Sequence, residues 1–148
     1  MREYTTYPEV IARIGGGPEN PELDGTVRFY PKNGSVLVVA EILGLPQDEG
    51  TGFFALHIHE GEACSGENFS STGGHYNPAD VSHPHHAGDL PPLLRCGNRA
   101  YLVVETDRFR VEEVIGRTVV IHSGADDFRS QPAGNAGTKI ACGVIRRC

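Results

Sequence analysis

Asn33-Gly34 stands between two runs of alternating side chains, and nothing else in this sequence restricts the fold as strongly. Asn-Gly flanked by alternating apolar residues is the strongest short-range signal for a β-hairpin. Before it, Val27 and Phe29 share one face of residues 26–30. After it, Val36, Val38, Ala40 and Ile42 share one face, while Leu37, Val39 and Glu41 take the other. Residues 100–106, 118–122 and 139–145 are also strand-like and rich in β-branched side chains. Residues 111–115 offer one helical turn, but nothing sustains a 3.6-residue period. Nineteen glycines and ten prolines among 148 residues leave little room for long helices. The expectation is an all-β sandwich or barrel of short strands.

Two stretches interrupt the strand pattern, residues 61–94 and 123–137, both dense in Gly, Ser, Asn and Pro. Structureless stretches this long inside a compact domain are functional or disordered. No internal repeat or boundary divides the chain, so residues 1–148 read as a single domain. With 22% charged and 39% hydrophobic residues, the sequence resembles neither a disordered chain nor a membrane span. The net charge of −6 argues against nucleic acid as the main partner, since the only dense basic pair is Arg146-Arg147. It does not forbid an anionic substrate, because attraction depends on the local field at a cleft. Residues 1–7 contain no apolar segment of the secretory type, which leans the expected location to the cytoplasm.

The chemistry sits in seven histidines. If Phe54-Ala55-Leu56-His57-Ile58-His59 is a strand, His57 and His59 leave one face while Leu56 and Ile58 face the core. His122 ends Thr118-Val119-Val120-Ile121-His122 and leaves opposite Val119 and Ile121. Three imidazoles at strand ends make a nitrogen platform suited to copper, zinc, iron or nickel, and a planar nitrogen set favours Cu(II). His83, His86 and Asp89 lie within seven residues and match the donor types of a tetrahedral zinc site. His75 lies between the two groups and has two ring nitrogens, so it can serve either metal or both. Each piece alone has an ordinary explanation. A His-x-His pair has a stray affinity for metal, and His85 reads as a solvated turn residue. Together they point to a metal site. The four cysteines, Cys64, Cys96, Cys142 and Cys148, form no CxxC pair, so zinc-ribbon and thioredoxin-like readings are weak.

Five ordered segments carry a resemblance. They are His57-Ile58-His59-Glu60, Gly74-His75-Tyr76-Asn77-Pro78, His86-Ala87-Gly88-Asp89-Leu90, Gly116-Arg117-Thr118-Val119-Val120-Ile121-His122, and the run from Gly134-Asn135-Ala136-Gly137 through Cys142 to Ile145. Spanning about residues 25 to 145, they resemble the copper/zinc superoxide dismutase family. The resemblance implies a Greek-key β-sandwich or flattened barrel of about eight antiparallel strands with two long functional loops. It implies copper on His57, His59, His75 and His122, and zinc on His75, His83, His86 and Asp89, with His75 as the bridge. Asp126 is implied as the carboxylate that hydrogen-bonds one ligand of each metal. Cys64 and Cys142 are implied as a disulfide, which by chain entropy contributes about 4 kcal/mol. The alternative for Cys142 is a buried thiol, and Cys96 and Cys148 are expected unpaired. The implied activity is conversion of superoxide to dioxygen and hydrogen peroxide by redox cycling of copper, with His75 expected to release copper and take a proton on reduction. Family members occur as monomers and homodimers, so a homodimer is one expected partner state.

Two departures stand out. The family's active-site arginine falls on Lys139, which keeps a cation but loses the planar fork; reduced rather than abolished activity is expected. Both loops are shortened. Only Pro84 and His85 separate His83 from His86, so His85 is an alternative ligand, although the His-x-Gly-Asp spacing favours His86. The second loop lacks a run of steering charges, so a more open copper mouth is expected. Two rival readings follow: a dismutase-like protein that stores or buffers copper or zinc with little turnover, and a zinc hydrolase using Glu60 as base, the latter weakened by the absence of H-E-x-x-H.

Overall fold

β2 (Asp24–Lys32) and β3 (Ser35–Leu43) form the expected hairpin, with Lys32 opposite Ser35 across Asn33-Gly34. A computed structural model describes residue 8, residues 10–47 and residues 50–148; residues 1–7, searched above for a leader, lie outside them. The other strands are β1 (Val10–Gly16), β4 (Phe53–Phe54), β5 (Leu56–His59), β6 (Leu93–Leu94), β7 (Arg99–Thr106), β8 (Thr118–His122) and β9 (Lys139–Arg147). One helical turn, α1 (Val111–Val114), precedes β8.

Seven strands form one antiparallel sheet in the order β5-β8-β9-β1-β2-β3-β7, and β4 pairs with β6. The chain crosses from β3 to the far edge at β5, returns to β7, and crosses again to β8, a Greek-key path. Alternation decides which way each strand faces. Val10, Ala12 and Ile14 of β1, Val27 and Phe29 of β2, and Val36, Val38 and Ile42 of β3 turn inward. They meet Leu56, Ile58, Val119, Ile121 and Ile145 from the other end of the sheet, so the sheet curls into a half-barrel around one core. Full burial of each large aliphatic side chain contributes about 1.5–3 kcal/mol. On the outer face, Tyr30, Leu37 and Val39 form a separate small cluster backed by Val103.

Edge strand β5 positions the site, and a loop covers it. Ile58 N–H donates to Gly88 O (2.9 Å), Tyr76 N–H to Ile58 O (2.8 Å) and Glu60 N–H to Gly74 O (2.9 Å). These bonds fasten residues 74–88 onto β5 and satisfy an edge that would otherwise be open. Ala55 N–H donates to Gly124 O (2.9 Å), bringing the second long loop against the same end of the sheet. Cys64 and Cys142 form a disulfide across 78 residues, tying the first loop to β9; Cys142 is therefore not a buried thiol. Cys96 and Cys148 are free and exposed.

Candidate metal centre

His57 and His59 leave β5 opposite Leu56 and Ile58, yet both are buried, because the first long loop lies over that face. His122 ends β8, the neighbouring strand, where a β-bulge shifts the register and sets His122 opposite Lys139 of β9. Bulges of this kind re-aim side chains beside functional sites. Backbone bridges set His75 against His59 and Asp89 against His57. His57, His59, His75, His83, His86 and His122 are each no more than 7% exposed, so six imidazoles share one buried volume. His85, two residues from His83, is exposed and belongs to neither of the donor groups these rings form. Glu60 is exposed just beyond β5.

Two overlapping donor groups result. The donor atoms of His57, His59, His75 and His122 lie within 4.8 Å of one another, as do those of His57, His75, His83 and Asp89; either group could hold a metal ion. His86 is not one of those four, but its Nδ1 lies beside the second group, 3.1 Å from His75 Nδ1 and 3.2 Å from Asp89 Oδ2. His75 Nδ1 is 2.8 Å from Asp89 Oδ1. His83 Nδ1 is 3.1 Å from Asp89 Oδ2 but makes no hydrogen bond.

Hydrogen bonds on the outer nitrogens fix which ring atom is left over. His57 Nε2–H and His83 Nε2–H both donate to Asp126, each at 2.8 Å, leaving Nδ1 of each ring buried without a partner. His59 Nδ1–H donates to Gly73 O (2.8 Å) and His122 Nδ1–H to Gly137 O (3.4 Å), so their Nε2 lone pairs face each other at 3.2 Å. His75 Nε2 is likewise buried and unpartnered. Facing lone pairs and orphaned buried nitrogens are costly unless a cation lies between them. The donor set therefore fits metal ions.

Electrostatics keep the rings ready to ligate. Burial pushes His59 down to about 2 and His122 down to about 3, with neighbouring imidazoles and Lys139 adding to the effect. Burial also lowers His57 and His86. For both Asp89 and Asp126 burial alone would raise the carboxyl. Hydrogen bonds from His75 to Asp89, and from His57 and His83 to Asp126, outweigh it and hold both below the usual carboxylate range. Neutral imidazoles beside ionised carboxylates are the protonation states metals require.

Some participants carry no mark in the sequence. Gly73 O and Gly137 O orient two imidazoles, but a backbone carbonyl has no residue signature. Gly134 has a weak one. A Cβ there would lie 2.0 Å from Asp126 Oδ1 and 2.6 Å from His83 Nε2, and its φ of +70° is left-handed, so only glycine leaves room. Lys139 Nζ donates to Thr72 Oγ1 (2.7 Å) and Gly73 O (3.0 Å), beside the His59–His122 pair.

Residues 23–145 match the family described as copper/zinc superoxide dismutase (SODC). The chain belongs to the copper/zinc superoxide dismutase family. It is 36% identical over 140 residues to "Superoxide dismutase [Cu-Zn] 2" of Aquifex aeolicus, covering 84% of this chain and 80% of that one. It is 34% identical over 148 residues to "Superoxide dismutase [Cu-Zn]" of Deinococcus radiodurans, covering 84% and 78%. A crystal structure of a SOD-like protein from Bacillus subtilis, solved as a double mutant, superposes with a TM-score of 0.76 at 24% identity, over 90% of this chain and 95% of that one, and supports the fold. Membership of the superoxide dismutase family implies copper and zinc as its metals, and the two histidine groups could receive them. Among the described residues no helix is long and apolar enough to cross a membrane.

Proposed function

We propose that the chain is a superoxide dismutase that converts superoxide to dioxygen and hydrogen peroxide. Copper would be held by His57, His59, His75 and His122, and zinc by His75, His83, His86 and Asp89. The carrying observation is His75: Nδ1 faces Asp89 and His86, while Nε2 is buried without a hydrogen-bond partner next to the other donor group. A protein that only stores metal has no use for a ring shared between two sites. When bound, copper supplies one-electron oxidation and reduction, while zinc holds the shared ring and tunes its acidity.

The chain's own residues do the remainder. Asp126 fixes the tautomers of His57 and His83 together, coupling the two sites through one carboxylate. Gly73 O and Gly137 O do the same for His59 and His122. His75 Nε2 is the ring atom able to hold a proton between the two half-reactions, with Nδ1 keeping the ring in place. Lys139 supplies a positive charge beside His59 and His122 that attracts the substrate anion.

The test is reconstitution. Metal-free protein is loaded with copper and zinc, its stoichiometry is measured, and superoxide decay is followed. One copper and one zinc per chain with copper-dependent turnover are expected, and zinc alone should give none. Full copper loading with an unchanged superoxide lifetime would favour metal storage instead.

A further inference from the structure

Lysine is a flexible point charge with three N–H donors, and on its own it does not hold a fixed direction. Here it is pinned. Two donors of Lys139 are used, at 2.7 Å to Thr72 Oγ1 and 3.0 Å to Gly73 O. Thr72 is fully buried, and its hydroxyl hydrogen goes to Phe69 O at 2.8 Å, so the oxygen presents its lone pairs to Lys139. Gly73 O also accepts from His59 Nδ1, so the same carbonyl fixes the lysine and one imidazole. Across the β8–β9 ladder Lys139 stands opposite His122. No carboxylate among the described residues pairs with Lys139, so its charge is not cancelled and a third donor remains.

We propose that Thr72 is a positioning residue that makes Lys139 a fixed, single-point binding group for a small anion beside His59 and His122. A hydroxyl and a carbonyl on one loop thereby give a lysine the direction that a guanidinium fork has by its own shape. In the sequence Thr72 is one more residue of a Ser/Thr/Gly loop, whereas Lys139 is marked by its place in the family resemblance. The inference rests on the proposed copper site at His57, His59, His75 and His122, but not on turnover.

The test uses the full chain loaded with copper and zinc, with azide as the probe anion and the change in the visible spectrum as readout. Thr72→Val keeps the shape and removes the hydroxyl. It should weaken azide binding roughly three- to tenfold, the net contribution of one ordinary hydrogen bond, because the lost bond orients Lys139 and does not touch the anion itself. Thr72→Ser should restore binding to within about twofold, since the hydroxyl returns. Should Thr72→Val fold poorly, Thr72→Ala is read in the same way. In a Lys139→Met background the Thr72 substitutions should have no further effect, because a positioning residue acts only through the group it positions. The copper electron-paramagnetic spectrum before azide is added should be unchanged by Thr72→Val. The proposal is overturned if Thr72→Val and Thr72→Ala bind azide like the parent, or if they weaken binding equally without Lys139. A parent protein that gives no azide-dependent copper spectrum overturns the copper site and this inference with it.

Discussion

Asp126 is one carboxylate serving two imidazoles, and its two oxygens leave no slack: Oδ2 receives His57 and Oδ1 receives His83 and the Phe128 N–H. Replacing one oxygen by an amide nitrogen sets a donor against a donor. Asp126→Asn should therefore lower metal affinity about 10- to 100-fold, as loss of an outer hydrogen-bond partner does elsewhere; chelator competition measures it. Gly134→Ala should act through the same carboxylate, since the new methyl would overlap Asp126 Oδ1 and the backbone would be strained at φ +70°. Its metal affinity should fall while residue 134 itself touches no metal. Lys139 acts differently, through charge. Lys139→Met should slow superoxide decay roughly tenfold at low ionic strength and flatten its salt dependence, because attraction of an anion is screened by salt. An equal loss at high and low salt would sink the electrostatic role.

At the scale of elements, the site is a joint between a sheet edge and two loops, and the disulfide is its hinge pin. Cys64–Cys142 ties the segment that carries Thr72 and Gly73 to the strand that carries Lys139. In Cys64→Ser, unfolding free energy from denaturant titration should fall by about 2–4 kcal/mol, and copper affinity should fall with it as Gly73 O loses its hold on His59. Stability lost with copper affinity intact would mean the bond supports the fold alone. How far these elements could be read in advance depends on where their signal lies. β2, β3, β7, β8 and β9 announce themselves by alternation, and the six site histidines and Asp89 by residue type and spacing, whereas Asp126 is marked only by the family resemblance. β1 does not. Val10, Ala12 and Ile14 alternate as β-strand residues do, but the Gly15-Gly16-Gly17-Pro18 run that follows carries a loop signal. β4 and β6 are two residues each, too short for any period. The two loops look structureless because their order comes from bonds to β5 and to each other, which are long-range and leave no local pattern. The Thr72–Lys139 contact spans 67 residues and is visible only once β9 lies beside the first loop.

Over the whole molecule, the cost of assembling this centre falls on the metal-free protein, and pH exposes it. Unfolded histidines take up protons near pH 6.5, whereas folded His59 and His122 resist protonation until about 2 and 3. Between those limits the unfolded state binds more protons, so stability falls as pH falls, by up to about 1.4 kcal/mol per pH unit for each such histidine. His57 and His86 shift in the same direction and add to the slope. Asp89 and Asp126 enter later. Their folded values lie below 3.8, so the stability they give is complete above that value and is lost only as pH drops through the depressed ones. Copper and zinc should change this profile, because ions bound to the folded state alone stabilise it by mass action and share the lone pairs that protons would take. The melting temperature of the metal-free protein should therefore drop steadily between about pH 7 and 5, while that of the loaded protein stays nearly level until protons displace the metals. Calorimetry with and without a chelator measures both. A metal-free melting temperature that is flat across this range would mean the imidazoles are not held neutral, and the packing of six rings into one buried volume would need another explanation.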